Sequence, residues 1–92
     1  MSDSVERQLP VSFSSFVISL AQSAMMHLGE VPDPATGQPA VDLPLARNTI
    51  DLIGLLKQKT EGNLDAEEQR LVETVLYELR TRWLAQKGGA PG

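Results

Sequence analysis

DLPLARNTIDLIGLLKQKTEGNLDAEE, residues 42–68, carries two helix starts and one helix stop, and its reading decides the fold class. Asp42 offers a carboxylate to the free N–H groups of the turn that follows it. Pro44 is tolerated there because first-turn N–H groups have no intrahelical partner. Leu45, Leu52, Ile53 and Leu56 then recur at helical spacing, with Ile50 widening the stripe. Lys57 and Lys59 suit the negative end of the helix dipole, and Gly62 supplies a left-handed stop. Asp65, with Glu68 three residues on, forms a capping box that opens the next helix. The short Glu61-Gly62-Asn63-Leu64 link predicts an antiparallel hairpin. Gly54 costs about 1 kcal/mol against Ala inside a helix, so a close neighbour, a crossing helix, is expected at that point.

Reading outward from this stretch, the last helix shows Val72, Val75, Leu76, Leu79 and Trp83 on one stripe, with Glu73, Glu78, Arg80 and Arg82 outside it. In the other direction, Gly29 to Val41 contains Pro32, Pro34 and Pro39, which forbid regular helix. Pro34-Ala35-Thr36-Gly37 reads as a β-turn. Fully extended, that loop would reach roughly 40 Å, so the direction of the preceding helix is open. That first helix has Ser12 as N-cap and ends at Gly29 and Pro32. The expectation is an all-α fold of three helices, about 12–28, 43–60 and 65–86, forming a single domain over 12–86. Tails at 1–11 and 87–92 are expected to be flexible.

The first helix has no charged face. Phe13, Phe16, Val17, Ile18, Leu20, Ala21, Ala24, Met25, Met26 and Leu28 cover most of it, and Ser12, Ser15, Ser19 and Ser23 form its polar line. A helix apolar all round is normally buried on all sides, and two partners of this size are too few to wrap it. Small residues four apart let a second backbone approach closely. The expected partner is therefore a second copy or another protein, with an interface drawn from Phe13, Ser15, Phe16, Ser19, Leu20, Ser23, Met26 and Trp83. The alternatives are a monomer with its serines turned to water, or a helix lying in a lipid interface. Interfacial helices usually carry Lys or Arg on the polar face; this one carries none.

Composition points the same way. The 92 residues hold no cysteine, so neither a disulfide nor a thiolate metal site is available to stabilise a small core. A net charge of −4 repels nucleic acid and anionic lipid at long range. The stretch before Val11 has Arg7 against Asp3 and Glu6, a poor signal-peptide n-region. Gln22 and His27 interrupt the most apolar segment, which argues against a membrane span. A cytoplasmic protein is expected.

The sequence offers few residues in a catalytic pattern. His27, the one histidine, with Glu30 and Asp33, would make a metal set only if the loop folded back onto the helix. A histidine at a helix C-terminus is accounted for by the dipole alone. Asp65, Glu67 and Glu68 are accounted for by capping. Arg80-Thr81-Arg82-Trp83 falls short of a basic stripe, and Arg82 suits Glu78 as its i+4 partner. Neither catalytic residues nor a cofactor, metal, nucleic acid or small-molecule ligand is expected, so the chain reads as a non-enzyme.

Phe13-Ser14-Ser15-Phe16-Val17, Ser23-Ala24, His27-Leu28-Gly29-Glu30, Asp33-Pro34 and Thr36-Gly37 follow one another in an order that resembles a bacterial family. That family is catalogued as domain of unknown function 1844. Asp42-Leu43, Thr49-Ile50-Asp51-Leu52, Lys59-Thr60-Glu61-Gly62-Asn63-Leu64 and Glu67-Glu68 continue the resemblance, which covers about Ser12 to Trp83. It implies no activity, cofactor or catalytic residue. It does mark the loop residues His27, Glu30, Asp33, Thr36 and Gly37 as patterned, for a functional or a structural reason.

Overall fold

The computed structural model describes residues 11–88. It contains three helices: α1 (Phe13–His27), α2 (Leu43–Lys59) and α3 (Ala66–Lys87). The ends agree with the sequence to about a residue. The expected tails fall outside the described residues, apart from Val11 and the α3 end, where Lys87 is helical and Gly88 is the cap.

Each helix begins for a local chemical reason. Ser12 Oγ accepts from the Ser15 N–H at 3.0 Å, and Ser15 Oγ accepts from the Ser12 N–H at 3.2 Å. Asp42 Oδ1 accepts from the Leu45 N–H at 3.0 Å. Asp65 Oδ1 accepts from the Glu68 N–H at 2.8 Å while Glu68 Oε1 accepts from the Asp65 N–H at 2.9 Å. These bonds satisfy donors that a helix start otherwise leaves open. α1 closes as a Schellman turn: the Gly29 N–H donates to the Met26 carbonyl and the Glu30 N–H to the Met25 carbonyl, both at 2.9 Å. Gly29 takes φ +78° to do so.

The core is Val17 and Ala24 of α1 with Leu28 beyond it, Ala46, Ile50 and Ile53 of α2, and Val72, Leu76 and Leu79 of α3. The α3 stripe is the expected one, with Val75 and Trp83 packed at its margin. The α2 stripe is turned from the expected one. Leu45 and Leu52 remain 42% and 43% exposed, and Ala46 and Thr49 are buried in their place. Thr49 tolerates burial because its hydroxyl donates to the Leu45 carbonyl at 3.1 Å.

One end of the molecule gathers the C-terminus of α1, the N-terminus of α2 and the C-terminus of α3. The Asp42 N–H donates to the His27 carbonyl at 2.7 Å beside an antiparallel bridge between Leu28 and Val41. The loop thus leaves and returns at the same point, and its reach is not used to span the helix. Trp83 Nε1 donates to the Leu43 carbonyl at 2.8 Å, which together with the short 60–65 link makes α2 and α3 an antiparallel hairpin. Gln86 Nε2 donates to the Leu28 carbonyl, and Arg82 meets Glu30 at 3.2 Å. α3 therefore clamps the point where α1 becomes loop.

Candidate functional site

α1 presents its outward side as the consequence of its sequence spacing. Val17, Ala24 and Leu28 point into the core. At about 100° per residue, Ser15, Ser19, Gln22 and Met26 fall on the opposite side. Ser19 and Gln22 are exposed, and Ser15, Ser23 and Met26 are half-buried. Phe16 and Ile18 flank this line and stay 51% and 42% exposed. No residue of α1 before His27 is ionisable. The outcome is an uncharged strip with Ser15, Ser19, Gln22 and Met26 along its middle and Phe16 and Ile18 at its edges.

The expected interface set divides in the fold. Phe13 and Leu20 are half-buried, packed against the core. Trp83 lies at the α2–α3 end against Leu43, apart from the serine line. Ser15 is engaged in the α1 cap. Of the expected set, Phe16 and Ser19 are exposed and Ser23 and Met26 half-buried; Ile18 and Gln22, outside that set, complete the exposed surface.

The patterned loop residues have visible structural tasks. Glu30 pairs with Arg82. Asp33 Oδ1 accepts from the Ala35 N–H at 2.8 Å, and the Asp33 carbonyl accepts from the Thr36 and Gly37 N–H groups. The turn therefore starts at Asp33, one residue before the expected Pro34, because an Asx-turn carboxylate sets its first corner. Thr36 Oγ1 accepts from the Gln38 N–H at 3.2 Å, and Gly37 has φ +75°. His27 and Asp33 do share a small cavity of about 210 Å³ with Met26, Ala40, Asp42 and Leu45. Among the described residues, no group of three or more His, Cys, Asp or Glu side chains converges as a metal-binding set. No helix among them is long and apolar enough to cross a membrane.

Arg80 and Arg82, two residues apart in the chain, part company in the fold. Arg82 holds Glu30 and Glu78 at 3.2 and 3.7 Å. Arg80 instead joins Arg47 and Lys87 around Trp83. The available signal was helical spacing: residues two apart lie about 200° apart around the axis, whereas Arg80, Leu84 and Lys87 share a face.

A family model described as "Domain of unknown function (DUF1844)" matches residues 10–85. No curated protein and no solved structure matches the chain.

Proposed function

The chain belongs to the DUF1844 family, and we propose that it is a non-enzymatic assembly module in which the outward side of α1 packs on the same side of a second copy. The observation that carries this reading is the incomplete burial of α1. Only Val17 and Ala24 of its residues are buried, and Phe16 and Ile18 stand out on either side of the serine line.

A second copy is the occupant that the charge pattern favours. The whole chain carries −4, so two copies repel one another over most of their surfaces. The α1 strip carries no ionised side chain, and small Ser19 at its middle permits close helix approach. A two-fold contact meets itself without like-charge opposition there and adds apolar burial to a small core. A cytoplasmic setting belongs to the same proposal, since a chain without cysteine has no need of an oxidising compartment.

Because the chain contains no cysteine, Ser19→Cys is a clean reporter. A disulfide forms when two Cα atoms come within about 4.4–6.8 Å. Under mild oxidation Ser19→Cys should give a covalent dimer far faster than Gln58→Cys, an exposed control on α2. Equal rates for the two variants overturn the proposal. So does flotation of the unmodified chain with phosphatidylcholine vesicles, which would assign the strip to lipid.

A further inference from the structure

The hairpin carries a second feature, on a different set of residues from the α1 strip. Arg47, Arg80 and Lys87 line a pocket of about 390 Å³ whose apolar wall is Ile50, Trp83 and Leu84. They are three of the chain's eight basic residues, gathered against one carboxylate, Asp51, in a protein of net charge −4. Asp51 lies 3.7 Å from Arg47 with both side chains more than 60% exposed, so solvent screens that pair heavily. The local charge is opposite to that of the whole molecule.

The cations are also arranged. Trp83 is held by its bond to the Leu43 carbonyl at 2.8 Å. Its ring carries the Arg47 guanidinium 5.3 Å and the Lys87 ammonium 5.6 Å from the centroid. Cation–π contacts restrict both side chains before any ligand arrives, which lowers the ordering cost of binding. Their N–H groups remain able to bond an anion.

We propose that this pocket binds a segment of a partner protein in which carboxylate side chains sit next to an apolar one. The apolar wall is the reason for preferring such a segment to a bare anion. Leu84 is 61% exposed, and beyond Arg80 and Leu84 the surface continues into a depression of about 620 Å³ beside Tyr77, itself 72% exposed. An extended run with both cations and apolar side chains suits a length of peptide. A nucleic acid is disfavoured because three cations neutralise few phosphates. The peptide's carboxylates belong at Arg47, Arg80 and Lys87, and its apolar side chains at Leu84 and Tyr77, since Glu61 and Glu73 line the far part of the continuation beside Lys57.

Trp83 is the only tryptophan, so its fluorescence reports directly on the pocket. The probes are an acetylated peptide of alternating glutamate and leucine, its glutamine counterpart, and inorganic phosphate. The acidic peptide should shift Trp83 emission saturably, and its apparent affinity should fall as salt rises. The Arg80→Gln/Lys87→Gln double variant, changed only at exposed positions and checked for helicity by circular dichroism, should bind at least tenfold more weakly. The glutamine peptide should bind at least tenfold more weakly to the unmodified chain. No saturable shift with the acidic peptide, unchanged affinity in the double variant, or an equal response to phosphate at the same concentration would each overturn the proposal.

Discussion

Gly29 and Val41 stand so close that a Cβ added to Gly29 would lie 2.7 Å from Val41 Cγ2. The same glycine adopts φ +78°, so it is required both by the Schellman turn and by the strand-like return of the loop. One residue thus ties the end of α1 to the start of α2.

Gly29→Ala is expected to lower stability by about 2–4 kcal/mol, combining left-handed strain with overpacking. Gly37→Ala, at φ +75° with open space around it, should lose only the strain, about 1–2 kcal/mol. Urea unfolding midpoints compare the two. Adding Val41→Ala to Gly29→Ala should restore part of the difference, a coupling that a double-mutant cycle measures.

Gly54→Ala should act in the opposite direction. Its new Cβ would meet Arg80 Nη2 at 3.1 Å, the far end of an exposed side chain that can swing aside. The expected gain is about 0.5–1 kcal/mol from helix propensity, read as a raised thermal midpoint. A close helix crossing is the sequence expectation at Gly54; the one atom within 4 Å of the added Cβ is instead the end of the Arg80 side chain, so the glycine is not required by a backbone neighbour.

Trp83→Phe keeps an aromatic ring but removes the donor to the Leu43 carbonyl. The expected loss is about 1–2 kcal/mol by thermal or urea unfolding. A loss indistinguishable from zero would show that water replaces the indole without cost.

Asp65→Ala should cost about 1 kcal/mol, since it removes the acceptor for the Glu68 N–H, whereas Asp65→Asn should be close to neutral. Circular dichroism melts of both variants distinguish loss of the cap from loss of its charge.

The parts of this fold that sequence made legible are those ruled by neighbours in the chain. Ser12, Asp42 and Asp65 each satisfy a backbone donor three residues on, so the helix starts can be read from residue type alone. The α3 stripe was legible because its buried residues interrupt a polar background. The α2 stripe was harder, because Leu45, Leu52 and Leu56 lie beside Ile50 and Ile53 and apolar spacing alone permits either face inward. The buried Thr49 was hidden by its hydroxyl. The direction of α1 depended on contacts between distant residues, Leu28 with Val41 and Gln86 with Leu28, which local patterning does not encode. The cluster around Trp83 draws Arg47 from α2 and Arg80 and Lys87 from α3, so it exists only once the hairpin closes.

Sedimentation equilibrium of the unmodified chain tests the central claim, self-association through α1, most directly. The expected result is a species of twice the 10.0 kDa chain mass at micromolar concentration, reverting to 10.0 kDa on Ser19→Arg, which places a charge and a long side chain in the strip. A single 10.0 kDa species for the unmodified chain across that concentration range would contradict the account.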